Sequence, residues 1–128
     1  MVGIFLVTHG SYGEALIQCA CHVLNRRPPH LAQLGVAAQD DPLDLLAAAR
    51  QWAALVDAGR GVLLLTDIFG ATPSNLAMKL VEYGRMELVA GVNLPMLLRV
   101  LTYREREDVP ALAARAVMGG RDGILQVR

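Results

Sequence analysis

Residues 2–11, Val-Gly-Ile-Phe-Leu-Val-Thr-His-Gly-Ser, decide the fold of this chain. The stretch from Val2 to Val7 is apolar without interruption, which predicts a strand buried on both faces of a sheet. His9 follows that strand at once. A second apolar run, Gly-Val-Leu-Leu-Leu-Thr over residues 61–66, ends in the same way on Asp67. Each buried strand is therefore followed, at its carboxyl end, by a side chain that can accept or donate a proton. Open parallel sheets bind their ligands at this edge.

Strand and helix patterns alternate along the rest of the chain. Further strands are predicted near residues 31–37, at 86–91 and, as a short C-terminal strand, at 123–127; helices are predicted over 12–24, from 42 to about 56, and over 72–83, 94–101 and 109–118. The alternation predicts an α/β fold with an open, mostly parallel, doubly wound sheet. About four parallel strands in the order 2-1-3-4 would carry helices on both faces, in a single domain covering residues 1–128.

Two local predictions follow from helix signals. Asp41 as N-cap and Pro42 in the first turn begin a helix that directs Leu45, Ala49, Trp52 and Val56 inward. The pair Gly119-Gly120 is expected to end the last helix, since glycine is the usual residue just past a helix.

Composition excludes several classes of protein. The 128 residues include 12 basic and 12 acidic side chains, and this balance argues against a nucleic-acid-binding protein. No apolar run reaches the roughly 20 residues that a membrane span needs. The N-terminus lacks a basic leader, so it is expected to be a first strand rather than a signal peptide. Cys19 and Cys21 lie two apart on a predicted helix, a spacing that favours two reduced, packed thiols and a cytoplasmic protein over a disulfide or metal pair.

His9 and Asp67 are the predicted catalytic pair. With strands one and three adjacent, their side chains would face each other across one crevice. A carboxylate that bonds one imidazole nitrogen fixes the tautomer and leaves the other nitrogen as a nucleophile. The helix that begins near Gly10-Ser11 points free N–H groups at the same place, which favours a neutral ring and stabilises an added phosphate.

Two further segments end at the same edge of the sheet. In Gly70–Asn75, Thr72 suits an N-cap and Pro73 the first helical position, so Thr72, Ser74 and Asn75 are predicted to form a second anion-binding cradle beside Gly10 and Ser11. Taken alone, this motif fits an ordinary helix cap better. In Gly91–Leu97, which follows the fourth predicted strand, Asn93 is expected to orient a loop or meet a ligand, and Leu94 and Met96 offer apolar contact.

Four stretches together resemble a known family. Val7–Gly10, Leu65–Asn75, Gly91–Leu97 and Gly120–Gly123 are similar, in order and spacing, to the mannose-type enzyme IIA domain of the bacterial phosphoenolpyruvate-dependent sugar phosphotransferase system. The resemblance implies that the histidine at position 9 accepts a phosphoryl group from the phosphocarrier HPr and passes it to a separate IIB protein. Because these partner proteins would have to reach His9, we expect a shallow, exposed crevice with contacts from Ile68, Phe69, Asn93, Leu94 and Met96. The resemblance also implies a homodimer in which the C-terminal strand, residues 123–127, is exchanged between subunits. No cofactor or metal is implied.

The chain departs from the family pattern at one motif. The family often has Gly-Gly-Ser-Pro-Phe-Asn where this chain has Gly-Ala-Thr-Pro-Ser-Asn at residues 70–75. Thr72 keeps a hydroxyl near the phosphate position, whereas Ser74 replaces an aromatic residue and is expected to alter the docking rim.

Other functions use the same residues. One alternative is a stand-alone regulatory phosphoprotein that signals to a kinase or transcriptional partner, and another is the phosphotransfer subunit of a dihydroxyacetone kinase. A third is a flavodoxin-like module for a small ligand or metal. His9 and Asp67 alone are too few ligands for a closed metal site.

Overall fold

The computed structural model describes all residues, Met1–Arg128, and contains four strands and five helices. In chain order the elements are β1 (Gly3–His9), α1 (Tyr12–Leu24), β2 (Leu31–Val36), α2 (Pro42–Val56), β3 (Val62–Thr66), α3 (Thr72–Met78), β4 (Met86–Ala90), α4 (Leu94–Tyr103) and α5 (Val109–Asp122). The strands form one parallel sheet in the order β2-β1-β3-β4. The predicted α/β architecture and strand order are therefore confirmed.

Strand β1 lies in the interior of the sheet, between β2 and β3. Its residue Val7 is in register with Leu34 of β2 and with Thr66 of β3. Alternate side chains of β1 enter two apolar layers, because successive residues of a strand point to opposite faces. Ile4 and Leu6 join α1, α4 and α5, whereas Phe5 and Val7 pack with residues of α2 and α3. Of the residues of β1, only His9 at the carboxyl end is exposed, and β1 and β3 end side by side.

Polar caps fix where the helices begin and end. The carboxylate of Asp41 accepts a hydrogen bond from the backbone N–H of Leu43 at 2.8 Å, which confirms the predicted start of α2. Asn25 ends α1 in a left-handed conformation with φ of 54°. At the start of α1 the cap is Thr8, whose Oγ1 accepts the N–H of Gly13 at 2.8 Å.

Two predictions about helix α2 and helix α3 are wrong. Trp52, which was predicted to point inward, is 43% exposed. Ala53 is buried instead, beside Ala49 and Val56. Leu45, Ala49, Ala53 and Val56 form the buried face of α2 at helical spacing, and the indole of Trp52 lies at the edge of that face. Helix α3 ends at Met78 rather than near Tyr83, and the backbone reverses at Gly84 with φ of 81°.

Helix α5 continues through the glycine pair that was expected to end it. A Cβ on Gly119 would lie 2.7 Å from Cβ of Arg99, and one on Gly120 would lie 2.9 Å from Cε of Met96. Both partners belong to α4. The two glycines therefore allow α4 and α5 to approach closely, which is a packing role rather than a stop signal.

The predicted C-terminal strand is not formed within the single chain. Residues 124–128 have no regular structure, and Ile124, Leu125 and Val127 are exposed. A strand needs a neighbour for its backbone groups, and this segment leaves α5 without meeting one. None of the five helices is long and apolar enough to cross a membrane.

Candidate functional site

The side chains of His9 and Asp67 meet at the carboxyl ends of β1 and β3. Nδ1 of His9 lies 2.8 Å from Oδ2 of Asp67, and the same oxygen accepts the backbone N–H of His9 at 3.0 Å. An ionised carboxylate can only accept, so Nδ1 carries the proton in this contact. Nε2 is then the ring nitrogen with the free lone pair. The His9 side chain is 52% exposed, so a partner molecule can reach it.

Asp67 is held in its ionised form by these contacts. Partial burial raises the pKa of the carboxyl. The hydrogen bonds and charge of His9 lower the pKa by more than burial raises it, so the pKa lies below its usual value of 3.8. The second oxygen, Oδ1, accepts the N–H of Ile68 at 3.1 Å and the hydroxyl of Thr66 at 3.4 Å. The carboxylate, which is 16% exposed, is therefore fixed from both sides and orients the imidazole.

Gly10 and Ser11 lie where the sequence predicted, between His9 and helix α1. Both are exposed, and Gly10 has a φ of 49°. The Ser11 hydroxyl makes no capping hydrogen bond, because Thr8 caps the helix instead. The hydroxyl of Ser11 is thus available to an anion next to His9, whereas the N–H of Gly10 is bonded to the carbonyl of Val36 and that of Gly13 to Thr8.

Thr72 shares a cleft with His9. The cleft has a volume of about 380 Å³, and its remaining walls come from the end of β2, the following loop and the start of α2, at Val36, Ala37, Ala38, Asp40, Pro42 and Leu45. No lysine or arginine lines it. Thr72 is the first residue of α3, with Ala71 at the N-cap, so it lies one position later than predicted.

Ser74 and Asn75 do not join this cleft. Ser74 is fully buried and its hydroxyl is bonded to the loop backbone, so it neither offers a group to a ligand nor forms part of a docking rim. Asn75 is exposed and lines a smaller neighbouring cavity of about 110 Å³ together with Thr72 and Lys79.

The predicted docking residues divide into two groups. Ile68 and Phe69 follow Asp67 directly and are 58% and 71% exposed, which suits an apolar rim. Met96 is only 3% exposed and belongs to the core, so its predicted place on the rim is wrong. Asn93 begins α4 by accepting the N–H of Met96 and donates to the carbonyl of Gly120, and Leu94 packs against the core.

Three contributors to the site were missed by the sequence reasoning. Thr8 caps α1, and Asp40 lies on the far wall of the cleft, where its carboxylate accepts the N–H of Ala37. A Cβ on Gly35 would lie 2.1 Å from the carbonyl oxygen of Gly10, so the glycine lets β2 pass close to the catalytic turn. Of the three, only Thr8 could have been found from the sequence, because it directly precedes the histidine. The roles of Asp40 and Gly35 depend on tertiary contacts.

The arrangement provides one oriented nucleophilic nitrogen, hydroxyls and N–H groups for an anion, and an open approach. The protein has no group of three or more His, Cys, Asp or Glu side chains that could hold a metal ion. Cys19 and Cys21 are free, and Cys19 is exposed rather than packed as predicted.

Comparison with known proteins identifies the family of the chain. The family model described as the fructose IIA component of the PTS system matches residues 3–117. The chain is 32% identical over 127 residues to the mannose-specific EIIAB component of Escherichia coli K12, covering 96% of this chain and 38% of that relative's length. A stretch of 45 residues, 34% of this chain and 31% of the relative, is 58% identical to the fructose-specific EIIA component of Bacillus subtilis.

Solved structures share the whole fold. The mannose/sorbose-specific IIA subunit of Enterococcus faecalis superposes with a TM-score of 0.83 at 26% identity, over 99% of this chain and 95% of that one. An EIIA component from Streptococcus agalactiae gives 0.86 at 22% identity, over 98% and 97% of the two chains. The chain belongs to the mannose-type enzyme IIA family of the bacterial sugar phosphotransferase system.

Proposed function

We propose that His9 accepts a phosphoryl group from phosphorylated HPr and passes it to a separate IIB protein during carbohydrate uptake, in the cytoplasm. The observation that carries this proposal is the 2.8 Å contact between Nδ1 of His9 and Asp67, with the ring half exposed. It leaves Nε2 as an oriented nucleophile at an open edge of the sheet.

The transfer itself is an in-line displacement. The Nε2 lone pair attacks phosphorus, the P–N bond to the donor histidine breaks, and the donor ring leaves with that electron pair. Asp67 compensates the positive charge that His9 gains in the transition state and keeps its proton on Nδ1. The same steps in reverse order deliver the phosphoryl group to the acceptor.

The negative charge on the phosphoryl oxygens must be stabilised by neutral groups, because no lysine or arginine lines the cleft. Ser11 lies beside His9, and the hydroxyl of Thr72 lies in the same cleft, whereas the N–H of Gly10 is bonded to the carbonyl of Val36 and adds no donor. Asn75, in the neighbouring cavity that Thr72 also lines, would add an amide donor for the phosphoryl oxygens. These groups act as fixed dipoles at the site where charge accumulates.

Docking of HPr and IIB uses the exposed residues next to Asp67. Ile68 and Phe69 offer a compact apolar contact, with Asn93 and Leu94 at the end of the neighbouring strand. The bonds of Asn93 to Met96 and Gly120 give this second region a fixed shape.

We propose that residues 1–128 form one domain and that two copies pair through their C-terminal segments. The outer edge of β4 is unpaired except for a bridge between Met86 and Glu82. Cavities of about 420 and 370 Å³ flank this edge, the first lined in part by Val89, Met96, Val117 and Ile124 and the second by Phe69, Met78, Val81, Tyr83 and Leu88. A strand from residues 124–127 of a second copy would complete the sheet and place apolar side chains on both faces.

The phosphorelay is tested with the purified chain, phosphoenolpyruvate, enzyme I and HPr. We expect one acid-labile phosphoryl group on the wild-type protein and none on His9→Ala. His22→Ala removes an exposed histidine on α1 and serves as the matched control, with labelling unchanged. Full labelling of His9→Ala would refute the proposal. Transfer onward to a IIB protein separates uptake from a regulatory role or from a dihydroxyacetone kinase subunit, in which the acceptor differs.

A further inference from the structure

Ser74 stands out because its hydroxyl is fully engaged inside the protein. Oγ accepts the N–H of Gly70 at 2.9 Å and of Ala71 at 3.2 Å, and it donates to the carbonyl of Ala71 at 2.9 Å. A hydroxyl has one donor and two acceptor positions, so all three are occupied. The side chain is fully buried. It therefore binds the loop before α3 and has no capacity left for a ligand.

The loop held by Ser74 is the one that leads from Asp67 to Thr72. Its first residue is fixed by His9 and by the N–H of Ile68, as described above. Its last residues are fixed by Ser74, and Gly70 turns the chain with φ of 88°. Ile68 and Phe69 lie between these two anchors with most of their side chains in solvent. Apart from the anchors, little contact holds this exposed pair in place.

We propose that Ser74 is a positioning residue that fixes the loop between Asp67 and Thr72, and with it Ile68 and Phe69, in the geometry that docks the phosphorylated donor. This inference rests on the proposed phosphoryl transfer at His9.

Ser74 should affect the docking of the donor and not the chemical step at His9. His9 and Asp67 are held by β1, β3 and their own hydrogen bonds, none of which involves Ser74. Loss of the hydroxyl should release the second anchor and increase the ordering that the donor must impose on binding. We expect Ser74→Ala to raise the half-saturating concentration of phosphorylated HPr roughly three- to tenfold, the worth of about one hydrogen bond. The maximal rate of His9 phosphorylation should stay within about twofold of wild type.

The experiment measures His9 phosphorylation against HPr concentration, together with hydrogen exchange at the Gly70 and Ala71 amides. Ser74→Ala should raise the half-saturating concentration of HPr and speed hydrogen exchange at both amides. Ser74→Thr, which keeps a hydroxyl, should bring both quantities back toward their wild-type values. If Ser74→Ala does not fold, Ser74→Cys, with similar volume but a weak acceptor, takes its place. Thr102→Ala removes a hydroxyl that bonds Leu98 on α4 and should change neither readout.

Two results would overturn the inference. One is a half-saturating concentration for Ser74→Ala equal to that of Thr102→Ala. The other is a fall in maximal rate with saturation unchanged, which would place Ser74 in the chemical step. Absence of labelling in the wild-type protein would instead overturn the phosphorelay itself, so the two failures are distinguishable.

Discussion

At the scale of single residues, the two central side chains of the candidate site could be predicted and their neighbours only in part. His9 and Asp67 were visible because each follows a buried strand, and parallel strands end at one edge. Ser74 was predicted as a phosphate ligand from its place in a helix-start motif, yet its side chain turns inward to bind Gly70 and Ala71. The direction of a side chain at the third position of a helix depends on the loop before it, which sequence spacing does not reveal.

Asp67→Asn tests the role of the carboxylate. An amide can donate its N–H to Nδ1 of His9, which would move the ring proton to Nε2 and block the nucleophile. Loss of a charged hydrogen bond corresponds to roughly a 10- to 100-fold lower rate of His9 phosphorylation. Rapid-quench assays with phosphorylated HPr measure that rate. Asp44→Asn changes an exposed carboxylate in the first turn of α2 and should leave it unaltered; an unchanged rate for Asp67→Asn would exclude an orienting role.

The lowered pKa of Asp67 predicts a pH dependence of stability. Because the pKa in the folded state lies below the unfolded value of 3.8, the folded protein binds fewer protons there. The stabilisation is fully present above that value and is lost as pH falls through the folded pKa. The difference in free energy of unfolding between wild type and Asp67→Asn, from urea titrations, should therefore shrink as the pH falls below 3.8. A difference that grew on acidification would contradict the assignment of charge.

At the scale of elements, the boundaries of strands and early helices followed from the sequence, whereas glycine roles did not. Helix α1 and the start of α2 match their predictions because local caps define them. Gly119 and Gly120 were expected to stop α5, but they lie inside it against Arg99 and Met96. A glycine pair serves either purpose, and only the approach of α4 decides which one applies.

Gly35→Ala should disturb the catalytic turn through β2. The added Cβ would meet the carbonyl oxygen of Gly10, a backbone atom that cannot move without shifting the residue after His9. We expect a loss of about 1–3 kcal/mol in the free energy of unfolding, typical of overpacking, and a lower rate of His9 phosphorylation. Gln33→Ala, two residues earlier in β2, is the comparison for both measurements. Equal stability and rate for Gly35→Ala would show that the turn tolerates displacement.

At the scale of the whole molecule, the sheet order was predictable and the end of the chain was not. The predicted order β2-β1-β3-β4 assumed that the first strand lies centrally, and right-handed crossovers then place helices on both faces of the sheet. The segment 123–127 has the apolar pattern of a strand but no partner within the chain, and under the proposed pairing its structure would depend on a second copy. An isolated sequence cannot distinguish these cases, because the pattern is the same whether the neighbouring strand is its own or another's.

Removal of residues 124–128 tests the proposed pairing. The full chain should sediment as a dimer in analytical ultracentrifugation, and the truncated chain as a monomer that remains folded, since this segment contributes nothing to the core. A shortened tail would leave both cavities beside β4 uncovered. A truncated protein that still dimerises would place the interface elsewhere.

The identity of the phosphorylated ring nitrogen tests the site geometry most directly. Nitrogen-15 NMR of the phosphorylated protein, labelled at histidine, distinguishes phosphorus bonded to Nε2 from phosphorus bonded to Nδ1. With Nδ1 held 2.8 Å from Asp67, we predict the phosphoryl group on Nε2 of His9, with the proton retained on Nδ1. Phosphorus on Nδ1, or on any residue other than His9, would contradict the orientation on which the proposed transfer depends.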